Sequence, residues 1–232
     1  MPSTVSRALR RAANRLDQRG VDRRAVARQI VGGAWEEMGQ HQFNFLVQQG
    51  LQPSDWMLDV GCGALRGGVH FIRYLEPGHY CGIEREQWIL DVGAEELAEA
   101  GLTDRAPVLL CNREFEFDKF GRQFDVALAQ SVFTHIPLNN IHRCLVRMSD
   151  ALRPGGVFYA TFLDNPGDPN DLSPIEFPQK DGPPSVTYPD RDPFRYHVRF
   201  FEDLVKGLPL KLEHIGDWGS PRGQSMLAFH KV

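Results

Sequence analysis

Apolar positions change period along this chain, and each change marks a change of element. Val5, Ala8, Leu9, Ala12 and Leu16 recur at three- and four-residue intervals, the spacing that puts side chains on one helix face. Gln18-Arg19-Gly20 ends that helix, a second covers Arg23 to Ile30, and Gly32-Gly33 breaks the chain. Residues 35–49 then predict a third helix, closed by Gly50. From Trp56 the pattern turns to short, continuous apolar runs at 56–60, 80–83, 108–111, 124–129 and 157–162. Helical spacing returns between them. It follows the first run as far as Tyr74, then covers 87–100 with Ile89, Val92, Gly93 and Leu97 inward. It appears again over 139–152 with Ile141, Cys144, Leu145, Met148 and Leu152 on one face. Alternation of this kind predicts βαβ units around a parallel sheet. Strands without polar alternation are expected when helices cover both sheet faces.

Residues 164–194 break the rhythm. They hold eight of the 16 prolines and little periodicity, so they predict a long loop of the lid or binding type. A helix over 198–206 and strands over 210–215 and 225–231 complete the chain, with a Gly/Pro-containing turn at 216–224 between the last two.

Length and composition narrow the class. The 232 residues suit one large domain, and 42% hydrophobic with 24% charged residues excludes disorder, collagen and coiled coil for the whole. No apolar run approaches the roughly 18 residues that span a bilayer, and no secretory core is apparent. Cys62, Cys81, Cys111 and Cys144 are widely spaced, without a C-x-x-C pair. They read as reduced thiols in a cytoplasmic protein and predict no metal site. The net charge of −4 gives no overall basic signal, so nucleic acid is not an expected partner. Charge is uneven, however. Residues 1–30 carry eight Arg against Asp17 and Asp22, a local +6 on a body of −10. This arm is expected to pack on its own domain or on a second copy, as a route to a homo-oligomer.

The glycine turn after the first run, Gly61-Cys62-Gly63, carries the most chemistry. Glycines let the backbone approach a ligand, and the helix that follows presents free N–H groups. Dinucleotides and adenosine-type cofactors both use this device. A nicotinamide fingerprint would place Gly or Ala where Arg66 stands, and an anionic Asp59 repels a pyrophosphate but suits a cationic ligand. Glu84 closes the second run, where a carboxylate accepts ribose hydroxyls or simply favours a helix N-terminus.

Four blocks occur in order: Leu58-Asp59-Val60-Gly61-Cys62-Gly63, Gly82-Ile83-Glu84, Gln130-Ser131-Val132-Phe133-Thr134-His135, and Leu152-Arg153-Pro154-Gly155-Gly156. Together they resemble the class I S-adenosylmethionine-dependent methyltransferases. The resemblance spans roughly residues 56–162. It implies a three-layer, Rossmann-like α/β sandwich whose seven-stranded, mostly parallel sheet has the order 3-2-1-4-5-7-6, the last strand antiparallel. Residues 1–50 are then an N-terminal helical arm or lid, and 51–232 the methyltransferase domain, with 164–194 as a substrate loop. The cofactor implied is S-adenosyl-L-methionine, held by Asp59, Gly61, Cys62, Gly63, Glu84, Arg85, Asn112, Gln130 and Ser131. Trp35 and Gln42 of the preceding segment are expected to line the site.

Departures from the family pattern are Leu65, where a third glycine is common, and Arg85, where an apolar residue usually packs on adenine. The Arg85 guanidinium either stacks on the ring or points to solvent. Asn112 stands where the family has Asp for the adenine amino group, and it either keeps that role or forms a turn. Candidate bases at the carboxyl ends of the strands are His135, Asp164 and His197. Asp217, Trp218, Arg222 and Gln224 either bind substrate or form a solvated turn. The expected reaction is methyl transfer to a hydroxyl of a small-molecule or glycan acceptor. Alternatives are a protein or other anionic substrate, and an inactive cofactor-binding partner subunit.

Overall fold

The computed structural model describes residues 22–177 and 184–232; the helix expected through Val5 and Leu16 lies outside them. Helices form where the 3.6-residue pattern predicts them. They are α1 (Arg23–Ile30), α2 (Trp35–Gln48), α3 (Gly68–Tyr74), α4 (Gln87–Glu99), α5 (Leu138–Ala151) and α6 (Val198–Leu204). The main strands are β1 (Met57–Val60), β2 (Tyr80–Glu84), β3 (Val108–Cys111), β4 (Phe124–Ala129) and β5 (Leu152–Asp164). Three short ones follow, β6 (Ile175–Phe177), β7 (Ser185–Thr187) and β8 (Arg195–Tyr196), and then the closing pair, β9 (Leu210–Asp217) and β10 (Ser225–Lys231).

The sheet runs β3-β2-β1-β4-β5-β10-β9. The first five strands are parallel and β10 is antiparallel to both neighbours. Counted over the seven principal strands, this is the expected 3-2-1-4-5-7-6. An eighth strand, β8, joins the end of β5 through Leu163 and Asp164. Every residue of β1 is buried, as a central strand covered on both faces requires. One face carries α5 and α6 over Phe133, Phe158, Phe162, Phe201 and Phe229. The other carries Phe45 and Leu46 of α2, Phe71 and Ile72 of α3, and Leu90 and Leu97 of α4. Burial of each such side chain is worth about 1.5–3 kcal/mol.

Two expectations change. β5 begins at Leu152, not at 157, because its backbone already pairs with Phe124 before a register shift carries it past the glycines. The 164–194 segment is not a plain loop. It contains the β6–β7 hairpin and a Tyr188–Arg191 bridge. It then returns to the β4–α5 loop, where the Phe194 N–H donates to the Thr134 carbonyl at 2.8 Å and the Tyr196 hydroxyl to the Ile136 carbonyl at 2.9 Å.

The described part of the Arg-rich arm docks on its own body. Asp22 caps α1, accepting from the Arg24 and Ala25 N–H groups at 3.0 and 3.2 Å. On α4, the buried Glu96 takes paired hydrogen bonds from Arg24 (3.3 and 2.9 Å) and Arg28 (2.8 and 2.7 Å). Burial alone would raise the Glu96 carboxyl, but the two guanidiniums hold it below the usual range. Among the described residues, no helix is long and apolar enough to cross a membrane.

Candidate active site

Strand order reverses between β1 and β4, and parallel sheets bind ligands beyond the strand ends at such a point. A cavity of about 420 Å³ lies there, within the usual range for small-molecule sites, about 300–1,000 Å³. Its wall follows the strand ends: Asp59 and the 61–63 turn after β1, Glu84 after β2, Asn112 after β3, and Gln130 and Ser131 after β4. Ile30 at the end of α1, Val31 and Gly32 just after it, and Gln42 of α2 form its roof.

The turn needs its glycines for conformation and for space. Gly61 and Gly63 have φ of 70° and 57°, a region that L side chains avoid. A Cβ on Gly61 would stand 2.6 Å from Val132, and one on Gly63 2.8 Å from Val31. The turn is therefore held between the β4–α5 loop and the roof. Cys62, beside it, is buried, and burial pushes its thiol well up. It packs the turn against Gly82 and offers no reactive thiolate.

Two carboxylates face the cavity with different partners. Glu84 accepts from the N–H groups of Arg85 (2.8 Å) and Glu86 (3.1 Å) on one oxygen and Gly63 (3.2 Å) on the other. Burial still raises its pKa against those three bonds. Of roughly four acceptor positions on a carboxylate, one on Oε2 stays open to a hydroxyl donor. Asp59 accepts from the Tyr80 hydroxyl at 2.7 Å. Burial pushes it up to about 6, opposed by the Tyr80 bond and Arg66 and helped by Glu84.

Beyond β4 lies a polar cluster. The Gln130 amide donates to Ser131 Oγ (3.1 Å) and Gln224 Oε1 (3.0 Å), and the Ser131 N–H donates to Thr161 Oγ1 (2.7 Å). Gln130 Oε1 is buried without a partner, an acceptor suited to a ligand donor. His135 also lines the cavity, and its Nδ1 is hydrogen-bonded to the buried Asp192. With Nδ1–H given to that carboxylate, the neutral ring carries its lone pair on Nε2.

The cavity thus brings together Asp59, Gly61, Cys62, Gly63, Glu84, Arg85, Asn112, Gln130, Ser131 and His135. It does not bring in Asp164 or His197. Asp164 ends β5 in the pairing with Tyr196. His197 caps α6, its Nδ1 accepting from the Arg199 N–H at 3.1 Å. Asn112 spends its oxygen on a turn, accepting from the Glu114 and Glu116 N–H groups at 2.8 and 3.2 Å. The Arg85 guanidinium pairs with Glu86 at 3.4 Å. Gln42 lines the cavity, whereas Trp35 lies under the Arg28 guanidinium outside it. In the β9–β10 turn, Asp217 and Trp218 bond within the turn, while Arg222 reaches the cavity.

Sequence reasoning missed two contributors. Asp192 sits in the proline-rich segment, whose return to His135 no local pattern encodes. Arg66 registered only as a misfit to a nucleotide fingerprint; a charged residue inside a glycine-rich turn was the available signal. Among the described residues, no group of three or more His, Cys, Asp or Glu could hold a metal ion.

Residues 58–158 match the family model described as a methyltransferase domain. Among solved structures, the chain is similar to magnesium protoporphyrin IX methyltransferase from Synechocystis with bound S-adenosylmethionine. That match has TM-score 0.61 and 12% identity, covering 96% of this chain and 90% of that one. It is also similar to an S-adenosylmethionine-dependent methyltransferase from Clostridium acetobutylicum (TM-score 0.60, 13% identity, 97% and 98% covered). A third likeness is to the glycopeptide N-methyltransferase MtfA in complex with S-adenosylhomocysteine (TM-score 0.61, 14% identity, 84% and 90% covered).

Proposed function

We propose that the chain, whose residues 58–158 match a methyltransferase domain, is a class I S-adenosylmethionine-dependent methyltransferase and that it methylates a hydroxyl of a small-molecule or glycan acceptor. One observation carries that reading: the His135–Asp192 pair on the cavity wall. A neutral amine or a thiolate attacks without help, whereas a hydroxyl must lose a proton as it attacks. A braced imidazole with a free Nε2 is equipment for the hydroxyl.

The cavity suits the cofactor. Glycines admit the ligand backbone-close, Glu84 Oε2 takes a ribose hydroxyl, and Asp59 and Gln130 Oε1 face the amino-acid ammonium. S-Adenosylmethionine supplies an electrophilic methyl on a sulfonium, so the protein's part is alignment and proton removal. His135 Nε2 takes the hydroxyl proton, and Asp192 holds the ring in the accepting tautomer and stabilises the imidazolium that results. In this reading residues 1–50 are the lid, 51–232 the catalytic domain, and the 164–194 segment the substrate side; the setting is cytoplasmic. The neighbours that act on a porphyrin and a glycopeptide support acceptors of that size.

A screen of methyl transfer over metabolites and sugar nucleotides, read by mass spectrometry, tests the acceptor class. Products methylated on oxygen support the reading, and products methylated only on nitrogen would overturn it.

Asp59 gives a pH-dependent test of the cofactor site. Its carboxylate is ionised above about 6 and neutral below, and only the ionised form attracts an ammonium. Affinity for S-adenosylhomocysteine should therefore fall as pH drops through about 6, by up to about tenfold per unit. Calorimetry between pH 8 and 5 reads this. Asp59→Asn should be weaker at pH 8 and flatter across the range; the same slope in both proteins would remove Asp59 from the site.

A further inference from the structure

Beside the His135–Asp192 pair the fold holds a guanidinium without a carboxylate bonded to it. Arg195 stands on β8, the short strand that joins the end of β5. Phe194 and Tyr196 stack on each other, their rings 5.8 Å apart, so Arg195 projects from the opposite face of the strand. In β5 the same alternation sends Phe158 and Phe162 toward α5 and α6 and Tyr159 toward α2. Thr161 and Leu163 share the Tyr159 face, and Leu163 is the register partner of Arg195. Thr161 Oγ1 accepts from the Ser131 N–H at 2.7 Å, so Arg195 and the Ser131 wall of the cavity lie on one side of the sheet. The chain around Arg195 is also tied to the base. The Phe194 N–H bonds the Thr134 carbonyl next to His135, and Asp192 bonds His135 itself.

The contacts of Arg195 leave its charge unmatched. Nη1 donates to the Asp164 carbonyl at 3.2 Å, and the Phe177 ring of the β6–β7 hairpin lies 3.1 Å from the guanidinium carbon. Nε is buried with no hydrogen-bond partner. The Asp164 carboxylate acts on the group only through space, and burial lowers its pKa to about 10, so it stays charged at neutral pH. A buried donor without an acceptor costs free energy that a ligand oxygen offsets. The Nε–Nη2 edge is a planar two-donor fork that fits a carboxylate or a phosphate. Arg195 does not line the cofactor cavity, which leaves the acceptor as the molecule that meets it. We propose that Arg195 is a specificity residue, seating a carboxylate or phosphate of the acceptor whose hydroxyl is presented to His135. The inference rests on the hydroxyl-methylation reading above and narrows the acceptor to an anionic small molecule or glycan. Stacking on Phe177 restricts the guanidinium beforehand, so less freedom is lost when the anion binds.

The alternative is that Arg195 only pins the hairpin to the end of β5. Hydroxybenzoates, uronic acids and sugar phosphates are assayed for methyl transfer, each beside a neutral counterpart. The counterpart is the primary amide for a carboxylate and the free alcohol for a phosphate ester, so the two arms separate the two anions. The full chain should prefer the anionic member of a pair. Arg195→Gln should raise KM for that member about ten- to hundredfold more than for the neutral one, with a smaller change in kcat. Arg195→Lys should restore part of the preference. Both variants should bind S-adenosylhomocysteine and melt as the parent does. Preference for the neutral members, or equal loss on both members in Arg195→Gln, overturns the specificity role. Absence of S-adenosylhomocysteine binding to the full chain, or transfer to nitrogen alone, overturns the hydroxyl-methylation reading and this inference with it. Transfer to hydroxyls without regard to charge overturns the inference alone.

Discussion

Replacing His135 by alanine should lower kcat about 10²- to 10⁴-fold, the range that a positioned general base supplies. S-Adenosylhomocysteine should bind as before, because the ring touches neither Glu84 nor the glycine turn. Asp192→Asn should cost less than His135→Ala, since the amide oxygen can still accept from Nδ1 but no longer stabilises a positive ring. The pair should be non-additive in turnover: with His135 already gone, Asp192→Asn has no imidazole to orient. Asp192 is also buried, so its loss could loosen the 164–194 segment. Unchanged S-adenosylhomocysteine affinity and an unchanged melting temperature in Asp192→Asn separate positioning from damage. Turnover of His135→Ala within about threefold of the parent, on an acceptor identified by the screen, would leave the imidazole as a brace for its loop.

Much of the fold was legible because its signals are local. The buried faces of α4 and α5 follow from Ile89, Val92, Gly93 and Leu97, and from Ile141, Cys144, Leu145 and Met148, all at helical spacing. The uninterrupted apolar runs of β1 and β4 announced a sheet covered on both sides. The strand order came from the resemblance rather than from the pattern, which specifies parallel pairing but not neighbours.

Within the site, the glycine turn, Asp59 and Glu84 could be read because residue type, position and chemistry coincide there. Legibility ended where a side chain had two uses and tertiary structure chose between them. Asn112 and His197 both had plausible ligand roles, yet each spends its acceptor on nearby N–H groups. Such local competition is the habit of short polar side chains at element ends. Asp192 was illegible for the opposite reason, and Arg222 stayed open between a substrate role and a solvated turn on the same ground. Their partners, His135 and the carbonyls at Gly32 and Gly33, lie 57 and about 190 residues away, a distance at which pairing depends on the completed fold.

The second large effect is expected at Glu84. Burial raises this carboxyl even though three backbone N–H groups oppose the shift. A carboxylate whose folded pKa lies above its unfolded value costs the fold stability as pH rises through that interval. At neutral pH, then, ionised Glu84 burdens the folded chain, and a bound diol that donates to it offsets part of the burden. Glu84→Gln replaces one acceptor oxygen with an NH₂ that must face either the Gly63 N–H or the Arg85 and Glu86 pair, donor against donor. Losing a charged hydrogen bond is worth about 1.5–3 kcal/mol, and the displaced turn adds to it. S-Adenosylhomocysteine affinity should fall about 10²- to 10³-fold. Wild-type affinity in Glu84→Gln, with the protein folded by circular dichroism, would move the ribose away from β2.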